Sequence, residues 1–169
     1  MNKISSMLDA VADSLEAKGL VKEAYEIDKV ADAVEAFAID PRQQENFEFK
    51  KKLKRTPGSV THNETIVLPN GLSFSIQGSS THYCAPKKNS PDPTIYTEYE
   101  VAVGGPKETS NFLVIPGFEK EANPYENNIM AYKPPALVEK IYQAAKKLTP
   151  EQVNQLTIQA DQSDEELRS

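Results

Sequence analysis

Residues 8–17 read LDAVADSLEA, and residues 27–36 repeat them as IDKVADAVEA. Asp9, Val11, Ala12, Asp13, Glu16 and Ala17 return as Asp28, Val30, Ala31, Asp32, Glu35 and Ala36. Leu8 becomes Ile27 and Leu15 becomes Val34, so these apolar positions keep their character. Ile4, Met7, Leu8, Val11, Ala12 and Leu15 follow the three-four spacing of one helical face. A second such face runs Leu20, Ala24, Ile27, Val30 or Ala31, Val34 and Phe37. Asn2 or Ser5 can cap the first helix, and Lys18 falls in its last turn. Gly19 suits the left-handed position after it, with Leu20 folding back. Asp40-Pro41 ends the second helix, because a residue before proline is pushed out of helical geometry. The repeat therefore predicts an αα-hairpin over residues 1–40. Each helix alone is marginal in water, so pairing or docking must supply its stability.

The rest of the chain is organised differently. Twelve prolines, most of them between positions 41 and 135, argue against a mainly helical middle. Residues 41–60 read as a basic linker, with Lys50, Lys51, Lys52, Lys54 and Arg55 clustered around Phe47, Phe49 and Leu53. Ile66–Leu68 and Leu72–Ile76 flank Pro69-Asn70-Gly71, which predicts a hairpin with a tight primed turn at Asn-Gly. Leu72, Phe74 and Ile76 share a face expected to be buried, and Ser73, Ser75 and Gln77 share one expected to be solvated. Alternation from Ile95 to Val103 predicts a long amphipathic strand, and Phe112–Ile115 a final buried one. Leu137, Val138, Ile141, Tyr142, Ala145 and Leu148 mark a helix over 134–148, with Pro135 in its first turn. Thr149-Pro150-Glu151-Gln152 opens a last short helix. The expected fold is α+β: an N-terminal αα-hairpin, then a small antiparallel sheet packed by one or two C-terminal helices. The corresponding divisions are 1–40, 41–60, an α+β domain at 61–160, and an acidic disordered tail at 161–169.

Charge bears on function. The net charge is −6, which disfavours nucleic acid as the main partner, since phosphate contacts need clustered Lys and Arg. Residues 1–40 carry nine acids against four lysines, so the hairpin is not a DNA-reading helix-turn-helix. Its apolar face, Leu8, Val11, Leu15, Leu20, Ile27, Val30, Val34 and Phe37, is the candidate docking surface for a protein partner or a second copy. The basic residues Lys50, Lys51, Lys52, Lys54 and Arg55 are the candidate contact for nucleic acid or an acidic partner, with Phe47 and Phe49 available to stack on bases. Tyr83, Tyr96, Tyr99, Tyr125 and Tyr132 form either a contact surface or an ordinary half-buried sheet face.

Little points to an enzyme. His82 and Cys84 would lie on one side of a strand, where a histidine can activate a thiol. No orienting third group accompanies them, and a lone cysteine is usually a small buried apolar residue. His62, His82, Cys84 and Asp92 match no zinc spacing, so neither metal nor cofactor is expected. Gly104-Gly105-Pro106-Lys107 reads as a turn rather than a phosphate loop. The lone cysteine and the missing apolar leader or span suggest a cytoplasmic protein, or one carried in an assembly made there.

The segment GLSFSIQGSSTHYCAP, followed by its tyrosine-rich strand, is similar to small proteins of bacteriophages and bacteria. SLEAKGLVKEAYEIDKVAD resembles a helical hairpin found at the ends of otherwise unrelated proteins. The leading expectation is a non-enzymatic interaction or assembly accessory protein that docks through its hairpin. The alternatives are a nucleic-acid accessory protein using residues 47–55, and a small enzyme using His82 and Cys84.

Overall fold

The structure, a computed structural model, describes residues 3–38, 46–107 and 111–168. Asn2, Asp40 and Pro41 lie outside the described residues, as does the side chain of Phe37. The chain divides into two units, Met1–Phe47 and Glu48–Ser169. The fold is mixed α+β, with the N-terminal helix pair, a four-stranded antiparallel sheet and C-terminal helices.

In the first unit, α1 (Lys3–Glu16) and α2 (Val21–Ala38) pair along their length. The turn between them is a Schellman motif. Leu20 N–H donates to the Leu15 carbonyl at 3.0 Å, Gly19 N–H to that of Glu16 at 2.9 Å, and Gly19 sits at φ +77°. The seam is built of alanine: Ala12, Ala24 and Ala31 are buried, and small side chains let the two backbones come close. Leu8, Leu15, Ile27 and Val34 are half-buried beside that seam.

The second unit contains α3 (Glu48–Lys52), β1 (Ile66–Val67), β2 (Ser73–Gln77), β3 (Tyr99–Gly104), β4 (Met130–Lys133), α4 (Pro135–Lys146) and α5 (Pro150–Arg168). The strands lie in the order β1-β2-β3-β4, all antiparallel. Phe74 opposes Val103 and Ile76 opposes Val101, so the apolar positions of β2 and β3 share one buried face. Helix α4 turns Leu137, Val138, Ile141, Tyr142 and Ala145 inward, and Tyr142 meets Phe74 edge-on at 5.5 Å. From α3, Phe49 reaches the same core and packs edge-on against Tyr99 at 5.7 Å.

Several local expectations are corrected. Asn70-Gly71 is not a two-residue primed turn, because Pro69 precedes it. Proline fixes φ near the value needed at the first central position of a type I turn, and Gly71 follows at φ +90° to close a three-residue loop. The side chain of Asn70 then donates to the carbonyls of Ala145 at 2.8 Å and Leu148 at 2.9 Å, closing the C-terminal end of α4. The face of β2 expected to be solvated is covered: Gln77 is buried, with Ser73 and Ser75 half-buried.

The strand expected from Ile95 begins only at Tyr99, and Tyr96 and Tyr99 are both buried, which breaks a period of two. Residues 112–115 form no strand, although Leu113 N–H donates to the Val103 carbonyl at 2.7 Å. The fourth strand is instead β4, whose pairing shifts register against β3 where Tyr132 takes φ +54°. Helix α5 is not short; it runs from Pro150 to Arg168, through most of the segment expected to be a disordered tail.

Two substitutions test this packing. Phe74→Ala removes a fully buried ring at the sheet–α4 contact and should cost about 3–5 kcal/mol in denaturant unfolding. Asn70→Ala frees two helix-end carbonyls and should cost about 1–2 kcal/mol in the same measurement, with the sheet intact by circular dichroism.

Candidate functional site

Arg55 organises the loop side of the body. Its Nε donates to the Ser90 carbonyl at 3.0 Å, Nη1 to Asn63 Oδ1 at 2.7 Å, and Nη2 to the Gly78 carbonyl at 3.0 Å and to Tyr96 Oη at 3.1 Å. The Tyr96 hydroxyl donates in turn to the Lys88 carbonyl at 2.7 Å. Asn63 donates in turn to the Ile76 carbonyl at 2.7 Å, and its backbone N–H to Gln77 Oε1 at 2.7 Å. The Tyr96 ring lies so close to Gly78 that a Cβ there would sit 2.6 Å from it. This arrangement is structural chemistry, since all three nitrogens of the fork are directed at protein acceptors.

The histidine–cysteine region lies on the same loops. His82 Nδ1 is 2.7 Å from Ser79 Oγ, and the His82 ring meets that of His62 edge-on at 5.3 Å. The Cys84 thiol donates to the Ser79 carbonyl at 3.1 Å and accepts from Ser79 N–H at 3.3 Å. Burial is the main cause that pushes this thiol above its ordinary range and holds His82 below its own. A thiol that is buried, hydrogen-bonded and neutral is the reverse of an activated nucleophile. Among the described residues, no group of three or more His, Cys, Asp or Glu side chains is placed to hold a metal ion.

The basic cluster divides. Phe49 and Leu53 are core residues, and Arg55 is committed to the loops. Lys51, Lys52 and Lys54 are exposed, while Lys50 is half-buried with Nζ 3.5 Å from the Thr94 carbonyl. Phe47 is half-buried. Helix α3 is pinned to α4 by a Lys146–Glu48 ion pair at 2.6 Å and by Gln143 donating to Glu48 at 3.0 Å. The tyrosines divide as well: Tyr96 and Tyr99 are core, whereas Tyr83, Tyr125 and Tyr132 are exposed. A cavity of about 180 Å³ beside Phe112, Val114 and Leu156 is smaller than the roughly 300 Å³ at which small-molecule sites begin.

On the hairpin, the repeat is matched by burial. Ala12 and Ala31 are 0% and 2% exposed, whereas Val11 and Val30, one residue earlier in each copy, are 46% and 48% exposed. A two-fold relation between antiparallel helices keeps equivalent positions on the same side of the pair, so Val11 and Val30 share one face. A groove of about 400 Å³ opens beside Leu15 and Ile27, with Lys22, Glu23 and Glu26 along its α2 wall. Of the expected docking residues, Val11, Leu20 and Val30 are exposed, and Leu8, Leu15, Ile27 and Val34 are half-buried. The sequence reading missed Met7 as an exposed member of this surface, although its helical spacing was the available signal. Arg55 and Asn63 were missed as the polar centre of the loops, because pattern reading gives no signal for contacts between irregular segments.

No family model, no curated protein and no solved structure gives a significant match to the chain, so the resemblances to phage, bacterial and hairpin-bearing proteins gain no support. Among the described residues, no helix is long and apolar enough to cross a membrane.

Arg55→Met keeps the aliphatic stem but strands the acceptors, and should lower stability by about 2–4 kcal/mol in chemical denaturation; Arg55→Lys should recover little, lacking the fork. His82 has a folded-state pKa below 6.5, so the unfolded chain binds its proton more readily. Its contribution is complete above about 6.5 and is lost as pH falls from there through the folded value. A pH series of melting curves should therefore decline in that window, and His82→Gln should flatten the decline. Cys84 should react with a thiol reagent at the rate of protein opening in the native state, and at once in denaturant.

Proposed function

We propose that the chain is a non-enzymatic interaction protein that docks a partner through the grooved face of its N-terminal hairpin, with the α+β body as a separate unit. One observation carries this reading. The hairpin closes on alanines while the equivalent valines of both repeats, Val11 and Val30, stay exposed on a common face. Burying each valine would gain about 1 kcal/mol or more at about 25 cal/mol per Å², so a partner helix gains readily by covering them. A cytoplasmic location, or carriage within an assembly made there, accords with a single reduced thiol.

The nucleic-acid reading has less support. Phe49 is buried and Arg55 is spent on the loops, which leaves lysines without an aromatic platform beside them beyond the half-buried Phe47. The enzymatic reading has least, because the Cys84 thiol is held neutral.

Val11→Asp combined with Val30→Asp tests the docking reading, since both side chains are exposed and the substitutions leave the alanine seam alone. Helix content should be retained by circular dichroism. Complexes captured by the wild-type chain from its native cells should be lost at least tenfold. Capture that does not depend on Val11 and Val30 would remove the reading.

A further inference from the structure

We infer that Asn70-Gly71 is a self-modifying site: the native loop holds its deamidation in check, and a chain whose loop opens converts Asn70 to an acid that the fold cannot take back. The site lies in the α+β body and is independent of the docking reading.

The chemistry belongs to the two residues and water. In an opened chain the Gly71 amide nitrogen gives its proton to water and attacks Asn70 Cγ. The new N–Cγ bond closes a cyclic imide, and the side-chain nitrogen takes a proton from water and leaves as ammonia. Water then adds to either imide carbonyl and breaks its C–N bond. One route gives an aspartate at position 70. The other gives a β-linked isoaspartyl residue, whose main chain is longer by one carbon. The net change is amide plus water to acid plus ammonia, with nothing oxidised or reduced. Glycine hinders the ring closure least, because it has no Cβ.

The fold demands both residues. Gly71 sits at φ +90°, and a Cβ there would lie 3.3 Å from that of Pro106. A side chain at this position is therefore both strained and crowded. Asn70 Nδ2 supplies the two donors that close α4, to the Ala145 carbonyl at 2.8 Å and the Leu148 carbonyl at 2.9 Å.

The same bonds restrain the reaction. The leaving nitrogen is the one held by the two helix-end carbonyls. The attacking nitrogen has its proton directed at the Leu68 carbonyl at 3.0 Å. Attack needs the side chain to turn and Gly71 to lose its proton, which together break all three bonds. Leu72 N–H donates to Asn70 Oδ1 at 3.3 Å and polarises the amide toward attack, so the restraint rests on the two nitrogens.

Neither product fits the site. A carboxylate has no proton to give at neutral pH, so two helix-end carbonyls lose their donors and face a negative charge at the negative end of α4. Of the lysines at this helix end, Lys146 is committed to Glu48, and Lys147 is exposed, where a new ion pair offsets little. The isoaspartyl product also lengthens the loop that the Leu68 N–H to Leu72 carbonyl bond closes at 2.7 Å. Each conversion thus leaves a chain that opens more readily than before.

The full chain should be held at mildly alkaline pH in native buffer and in denaturant, with deamidation followed by peptide mass mapping. A synthetic peptide of residues 64–77, in each of the two solutions, gives the unrestrained rate. The native chain should convert Asn70 at least about tenfold more slowly than the peptide, and the denatured chain at the peptide's rate. A native chain that matches the peptide would overturn the restraint. A denatured chain that leaves Asn70 intact while other asparagines convert would remove the site. Asn70→Asp reproduces one product and tests the second half of the inference. It should unfold at a lower denaturant concentration than the wild type, and failure to fold counts the same way. Unfolding together with the wild type would show that the fold accommodates the acid, and would overturn the claim that conversion is hard to reverse.

Discussion

The guanidinium of Arg55 holds together the part of the body that has least regular structure. The segment from Gly78 to Glu98 runs without helix or strand apart from one bridge between Ala85 and Glu98, so most of its backbone groups must find partners one at a time. One rigid fork reaches the Ser90 and Gly78 carbonyls, Asn63 and Tyr96, and Tyr96 extends the chain of bonds to Lys88. Lysine has neither the planarity nor the number of donors to do the same. The clamp also reaches β2 through Asn63, whose backbone N–H and carbonyl pair with the side chain of the buried Gln77.

The two units rest on different physics. In the body, large rings and branched side chains interlock: Tyr99, Tyr142, Phe49 and Phe74 are all almost fully buried. In the hairpin only alanines are fully buried among the described side chains, and small side chains remove little apolar surface from water. A short helix pair with so light a seam is intrinsically weak, and its larger apolar residues are only half-buried, as Leu8, Leu15, Ile27 and Val34 are, or exposed, as Ile4, Met7, Val11 and Val30 are. The unit with the weaker interior is thus also the one with surface to offer.

Legibility in the sequence followed the range of the interactions. The two hairpin helices, β2 and α4 were readable because their apolar spacing is set within each element. The Schellman turn at Gly19 was readable for the same reason, since six consecutive residues decide it. Strand β4 was not, because its sequence MAYK alternates weakly and its pairing breaks at Tyr132. Tyr96, expected within a strand and on a contact surface or half-buried sheet face, is instead a fully buried loop residue, because its burial depends on Gly78 and Arg55, both distant in the chain. The division of the basic cluster into core, clamp and surface residues was hidden too. Charge composition cannot tell an arginine that faces water from one that faces carbonyls.

The contact between Gly78 and the Tyr96 ring carries a consequence for the lineage of this chain. A side chain at position 78 and an aromatic ring at position 96 compete for the same volume. A descendant that gains the one must give up the other, or open the loop that joins them. Removing the ring would also deprive Arg55 of a hydroxyl acceptor and the Lys88 carbonyl of its donor. Glycine 78, tyrosine 96 and arginine 55 should therefore be inherited as a block, and their joint presence would mark distant kin in which little else of the sequence survives.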